Sequence, residues 1–132
     1  MSKMTVLTSG ETGANSLTDI NNNFNIAATR IVTTVTQSAT PAINTDVTDI
    51  VSITGLAQAI TSFTTNLTGT PVAGQLLMIQ ITDDGTGRAI TWGTKFQSTT
   101  IILPTTTVSS TMLRVAFQYN GVATKWDCIS VA

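Results

Sequence analysis

From Arg30 onward the chain is cut into short runs rich in Ile, Val and Thr, each closed by Gly, Pro, Asn or Asp. β-branched side chains are stiff at χ1, fit a pleated surface and are poorly suited to helices. The 28 threonines among 132 residues spread that preference over the whole chain and point to an all-β domain. Segments 50–54, 59–66, 75–82, 88–93, 99–103, 112–119 and 125–131 have the length and boundaries of strands, and "RIVTTVTQ" (30–37) supplies another. Alternation in 75–82 puts Leu77, Ile79 and Ile81 on one face. In 112–119 it groups Leu113, Val115, Phe117 and Tyr119, with Arg114 and Gln118 opposite. Turn signals fall at "DDGTGR", with Gly85 and Gly87, and at Asn120-Gly121. The expected domain, 32–132, is mainly β, an antiparallel β-sandwich or jelly-roll-like fold.

The first 31 residues follow different rules. Residues 1–15 have no periodicity and are interrupted by Gly10 and Gly13, which predicts an extended arm that orders only against another surface. Ser16 opens a short helix, 16–31, with Asp19 three residues on in a capping-box-like position at the positive end of the helix dipole. Leu17, Ile20, Phe24, Ala27 and Ile31 recur at spacings of three and four and form one narrow apolar stripe, while Asn21, Asn22, Asn23 and Asn25 fall off it. A helix of about 15 residues is marginal alone in water, so the stripe needs a cover. Periodicity permits two covers: the chain's own β domain, or a short parallel coiled coil with copies of itself.

Charge and chemistry are sparse. Only 10% of residues are charged and the net charge is −1, against about 25% charged in typical soluble domains. Nothing in that balance attracts DNA, RNA or an anionic membrane. A near-neutral, hydroxyl-rich surface favours association over dispersal. No apolar run approaches the roughly 18 residues of a membrane helix, and the N-terminus lacks the apolar stretch of a signal peptide, so synthesis and assembly in a cytoplasm is expected.

The absence of histidine removes the commonest general base and transition-metal ligand. Cys128, the only cysteine, sits in the apolar "WDCISVA" and reads as a small buried hydrophobe. Asp83 and Asp84 lie in a turn and Asp46 and Asp49 in a loop, without an EF-hand pattern. No glycine-rich phosphate loop opens a helix. The expectation is a protein without catalytic residues, cofactor or metal. One binding chemistry stays open: Trp92 and Trp126, with Tyr119, would stack on a sugar if exposed together.

Two blocks resemble bacteriophage virion structural proteins. "LTSGETGANSLTDINNNFNIAATRI" resembles their N-terminal segments, in which a polar T-G-x-x-G arm leads into an S-x-x-D-x-N-x-N-F helix. The later "G-T-P-x-x-G-Q-x-L-x-I-x-I-x-D-x-G-x-x-R-x-I-T-W", the "L-P-T-T" and the closing "Y-N-x-x-x-T-K-W-D" are similar to a small β domain that recurs in phage structural proteins. The resemblance implies a homotrimer on the virion surface that decorates or cements the capsid or forms a short head fibre, partnered by the major capsid protein or another virion protein. In that arrangement Leu17, Ile20, Phe24, Ala27 and Ile31 form the trimer seam, and Met4, Val6 and Leu7 are apolar anchors of the docking arm. The alternative is a tail-fibre or receptor-binding module that touches host glycans through Trp92 and Trp126.

Overall fold

The computed structural model describes residues 30–132, which are mainly β and contain no helix. The expected arm, with Met4, Val6 and Leu7, and the seam positions Leu17, Ile20, Phe24 and Ala27 lie outside the described residues. Ile31 is within them and is not helical: its N–H donates to Asp49 Oδ2 (2.7 Å), and its carbonyl accepts from Asp49 N and Ile50 N (both 2.9 Å). At Ile31 the backbone is therefore already zipped to the strand beside it.

Eight strands follow: β1 (Val32–Thr34), β2 (Ile43–Asn44), β3 (Ile50–Leu56), β4 (Leu67–Thr68), β5 (Leu76–Asp83), β6 (Phe96–Gln97), β7 (Leu113–Asn120) and β8 (Lys125–Val131). Six form one sheet in the order β1-β3-β5-β7-β8-β6, and β2 pairs with β4 in a second, small sheet. The first half winds like a solenoid. β1, β3 and β5 stack in parallel with Val32 beside Ile50 and Ile50 beside Met78, and β2 and β4 are parallel as well. Parallel neighbours require a crossover. Here the crossovers are 35–49 and 57–75, each carrying one short strand of the second sheet where many parallel folds use a helix.

The sheet is thus mixed, and this departs from the expected antiparallel sandwich. Antiparallel pairing appears only in the second half, where β5 pairs with β7 and β7 with β8; β6 runs parallel to β8. Segments 59–66, 88–93 and 99–103 also differ from expectation, being loops apart from single bridges between Ile60 and Ile90 and between Ala89 and Thr106. Ile60, Phe63, Ile90 and Trp92 do point inward. Their backbones are satisfied by bonds between loops, however: Ile60 N donates to Ala89 O, Thr61 N and Ser62 N both donate to Ala39 O, and Phe63 N donates to Trp92 O. Burial alone therefore imposes a strand-like hydrophobic pattern on these loops.

The core lies between the inner face of the large sheet and the loops and small sheet that cover it. Val51, Ile53, Leu77, Ile79, Ile81, Leu113, Val115 and Phe117 come from β3, β5 and β7, and the inward faces expected for β5 and β7 are those observed. Gly55, at φ +62°, sits in the irregularity between Ile53 and Leu56. A left-handed residue there adds the extra step of a bulge and lets Leu56 turn back inward. Phe63 and Trp92, from the loops, pack with Phe96 of β6 and Phe117 of β7 in an aromatic cluster whose centroids lie 4.7 to 6.2 Å apart. Full burial of each such ring removes apolar area worth about 1.5–3 kcal/mol from water.

Candidate binding surfaces

The two tryptophans do not form a sugar platform. Trp92 is 5% exposed and Trp126 1%, and the Trp92 indole Nε1 donates to Pro104 O (2.8 Å). Trp92 is stacked on Phe63 and makes an edge contact with Phe117. Period two is insufficient to place Trp92, because its segment is not a strand. Its indole is held by an irregular loop that only tertiary packing defines.

Among the described residues, Tyr119 is the aromatic residue that reaches a surface. It is half-buried, with its ring edge-on to Trp126 at 5.1 Å. It lines a pocket of about 180 Å³ with Thr64, Thr68, Lys95, Thr124 and Trp126. Thr124 is at φ +54°, a left-handed conformation that is unfavourable for a β-branched residue. Turn closure between β7 and β8 enforces it: Asn120 Oδ1 accepts from Val122 N and Ala123 N (both 3.0 Å), and the chain must re-enter pairing at Lys125. The pocket offers an ammonium, hydroxyls and an aromatic edge, a chemistry suited to a small polar ligand such as a sugar.

The acidic residues hold loops. Asp83 is buried at the end of β5; it accepts from Thr107 Oγ1 (2.6 Å), Ser110 N (2.9 Å) and Gly85 N (3.0 Å). The Thr107 hydroxyl, with the two backbone N–H groups and Arg88 in support, keeps the Asp83 carboxyl below the usual carboxylate range despite burial. Asp84 pairs with Arg88 at 2.6 Å, which lowers its carboxyl as well. Asp46 Oδ1 accepts from Thr70 N (2.9 Å), tying the two crossovers together. Asp127 accepts from Gln97 Nε2 (2.5 Å) and Asn120 Nδ2 (3.0 Å), fastening β6 to β8. Cys128 is buried, and desolvation pushes its thiol up and away from reactivity.

The outer face of the sheet carries a feature that sequence reading missed. Across four strands, Val32, Ile50, Met78 and Ala116 stand in register. Ile129 continues the line on β8 at the irregularity beside Ala116. These side chains point away from the core, yet all are apolar. The adjoining line, Thr34, Ser52, Gln80 and Arg114, is polar throughout. A groove of about 200 Å³ runs along this line from Ile50 to Ile129, bounded by Leu76, Met78 and Ala116, with the charged Arg30 and Asp49 also lining it. The signal was present in the sequence as an apolar residue on the outward phase of several strands, but only the register aligns them.

No protein-family model, curated protein or solved structure matches the chain.

Proposed function

We propose that this is a non-enzymatic virion structural protein, a homotrimer that decorates or cements a phage capsid or forms a short head fibre, attached through its N-terminal arm. The observation that carries this reading is how the residues of the phage-like blocks are used. Gly69, at φ +106°, is packed against Thr45. Gln75 is buried and donates through Nε2 to Thr45 O (2.9 Å) while accepting from Val72 N (3.2 Å). Asp83 ties down the 107–110 loop, and Asn120 and Asp127 fix the last hairpin and β6. Residues that would have to supply chemistry in an enzyme here hold turns and crossovers, as suits a scaffold.

The remaining features agree with a role in assembly. Three near-neutral, threonine-rich surfaces can approach one another with little charge repulsion. Coil-on-coil winding suits a compact knob or a short fibre. Three arms on one rigid trimer would bind together through effective concentration, so that weak anchors at Met4, Val6 and Leu7 suffice. A ligand that prefers the assembled shell stabilises it by linkage.

Cosedimentation of the full chain with purified empty capsids tests the reading. Binding that is lost on Val6→Asp and Leu7→Asp supports an arm-docked structural protein, and absence of binding contradicts it. The pocket at Tyr119 and Lys95 favours one second reading, a receptor-binding module for host glycans. That reading requires host adsorption to fall on Tyr119→Ala, and it moves the sugar contact from the buried Trp92 to Tyr119, in a pocket that Trp126 also lines.

A further inference from the structure

We propose that residues 16–29 of the same chain dock on the outer face of the sheet, their apolar stripe covering the line that runs from Val32 to Ile129. The inference does not depend on a virion role. An open antiparallel or mixed sheet face alternates apolar inside with polar outside. Here one outward line is apolar in four paired strands and is extended by Ile129 on β8, with Val32 59% and Ile129 46% exposed. Such a line, bordered by polar neighbours, marks a surface that is covered by something.

Four observations identify the cover. First, the described chain begins at the groove: Arg30 bounds it, and Ile31 is pinned to Asp49 and Ile50 at its edge, so no linker is needed to bring the preceding residues onto it. Second, the lengths agree. Fourteen residues of helix extend about 21 Å, and five strands at their usual spacing extend about 19 Å from first to last. Third, the spacing agrees in detail. Leu17 to Phe24 is about 10.5 Å along a helix, close to the roughly 9.6 Å that separates β8 from β5, which sets Leu17 over Ile129, Ile20 over the small Ala116 and Phe24 over Met78. Fourth, the stripe is uncharged and the groove is apolar apart from Arg30 and Asp49, the latter already accepting from Ile31 N, and the off-stripe asparagines would face water.

A segment tethered at the groove also has the advantage of concentration. Attachment through a short connection corresponds to an effective concentration in the millimolar range, far above that of a second copy in a micromolar solution. With the stripe turned toward its own sheet, a helical seam about a threefold axis is unavailable, and contacts between copies fall to the β domain.

Engineered cysteines in the full chain test the docking. Phe24→Cys combined with Met78→Cys, oxidised by glutathione disulfide in dilute solution, is expected to lose both thiols at monomer mass. It should do so about tenfold or more faster than Phe24→Cys combined with Thr86→Cys, a position on an exposed turn. A covalent dimer from the first pair, or from Phe24→Cys alone, overturns the proposal, as does equal closure of the two pairs. The unsubstituted chain gives an independent readout. Under peroxide Met78 should oxidise severalfold more slowly than the half-buried Met112, and Phe24→Asp should abolish that protection; equal rates before substitution overturn the proposal.

Discussion

Trp92 stacks on Phe63 with ring centroids 4.7 Å apart and planes inclined by 23°. Neither residue belongs to a strand, so the aromatic pair organises the loops that roof the core, and its packing should be visible in stability. Trp92→Ala is expected to lower the unfolding free energy by about 3–5 kcal/mol, measured by urea denaturation. A sugar-contact role would instead leave stability intact and remove binding.

Gly93 follows directly, at φ +84°. A Cβ there would come within 2.6 Å of Thr64 Oγ1 and 2.8 Å of Thr64 Cβ, disturbing a hydroxyl that donates to Trp92 O and accepts from Lys95 N. Gly93→Ala should therefore destabilise by about 1–3 kcal/mol through strain and clash together, read as a lower urea midpoint with an unchanged slope.

Thr124 should respond in the opposite direction. Its φ of +54° is imposed by the β7–β8 turn, and glycine adopts that conformation without steric cost. Thr124→Gly is expected to stabilise the domain by up to about 1 kcal/mol, after allowing for the greater entropy of an unfolded glycine. Thermal unfolding of the two proteins side by side checks the sign.

Acid should weaken the β5 end. Asp83 and Asp84 both titrate lower in the fold than in the unfolded chain, held there chiefly by Thr107 and by Arg88 respectively. The stability they contribute is complete above the unfolded carboxylate value, about 4, and is lost as pH falls through their folded values. Carboxyl carbon NMR should show Asp83 titrating below the ordinary range, and Thr107→Val should move it upward. An unchanged Asp83 titration in that variant would show that the hydroxyl is not its main support.

Much of the fold was legible where one physical constraint acted alone. In β5 and β7 one face is buried and the other is not, so alternation disclosed Leu77, Ile79, Ile81, Leu113, Val115 and Phe117 correctly. Asn120-Gly121 announced the β7–β8 connection for a similarly local reason. Strand direction was not legible, because "IVSIT" presents the same alternation whether its neighbour arrives by a hairpin or by a crossover such as 57–75. Ile60, Ile90 and Trp92 misled because a buried loop needs inward apolar residues as much as a strand does. The apolar line through Val32, Ile50, Met78 and Ala116 is a property of register, and register joins residues far apart in the chain.

The central claim, a structural protein that works as a trimer, is tested most directly by the mass of the full chain in solution. Light scattering coupled to gel filtration at micromolar concentration should return three times the 13.9 kDa of one chain, and Phe24→Asp should leave that mass unchanged if the β domain makes the contacts. A mass of one chain across that range would contradict the account.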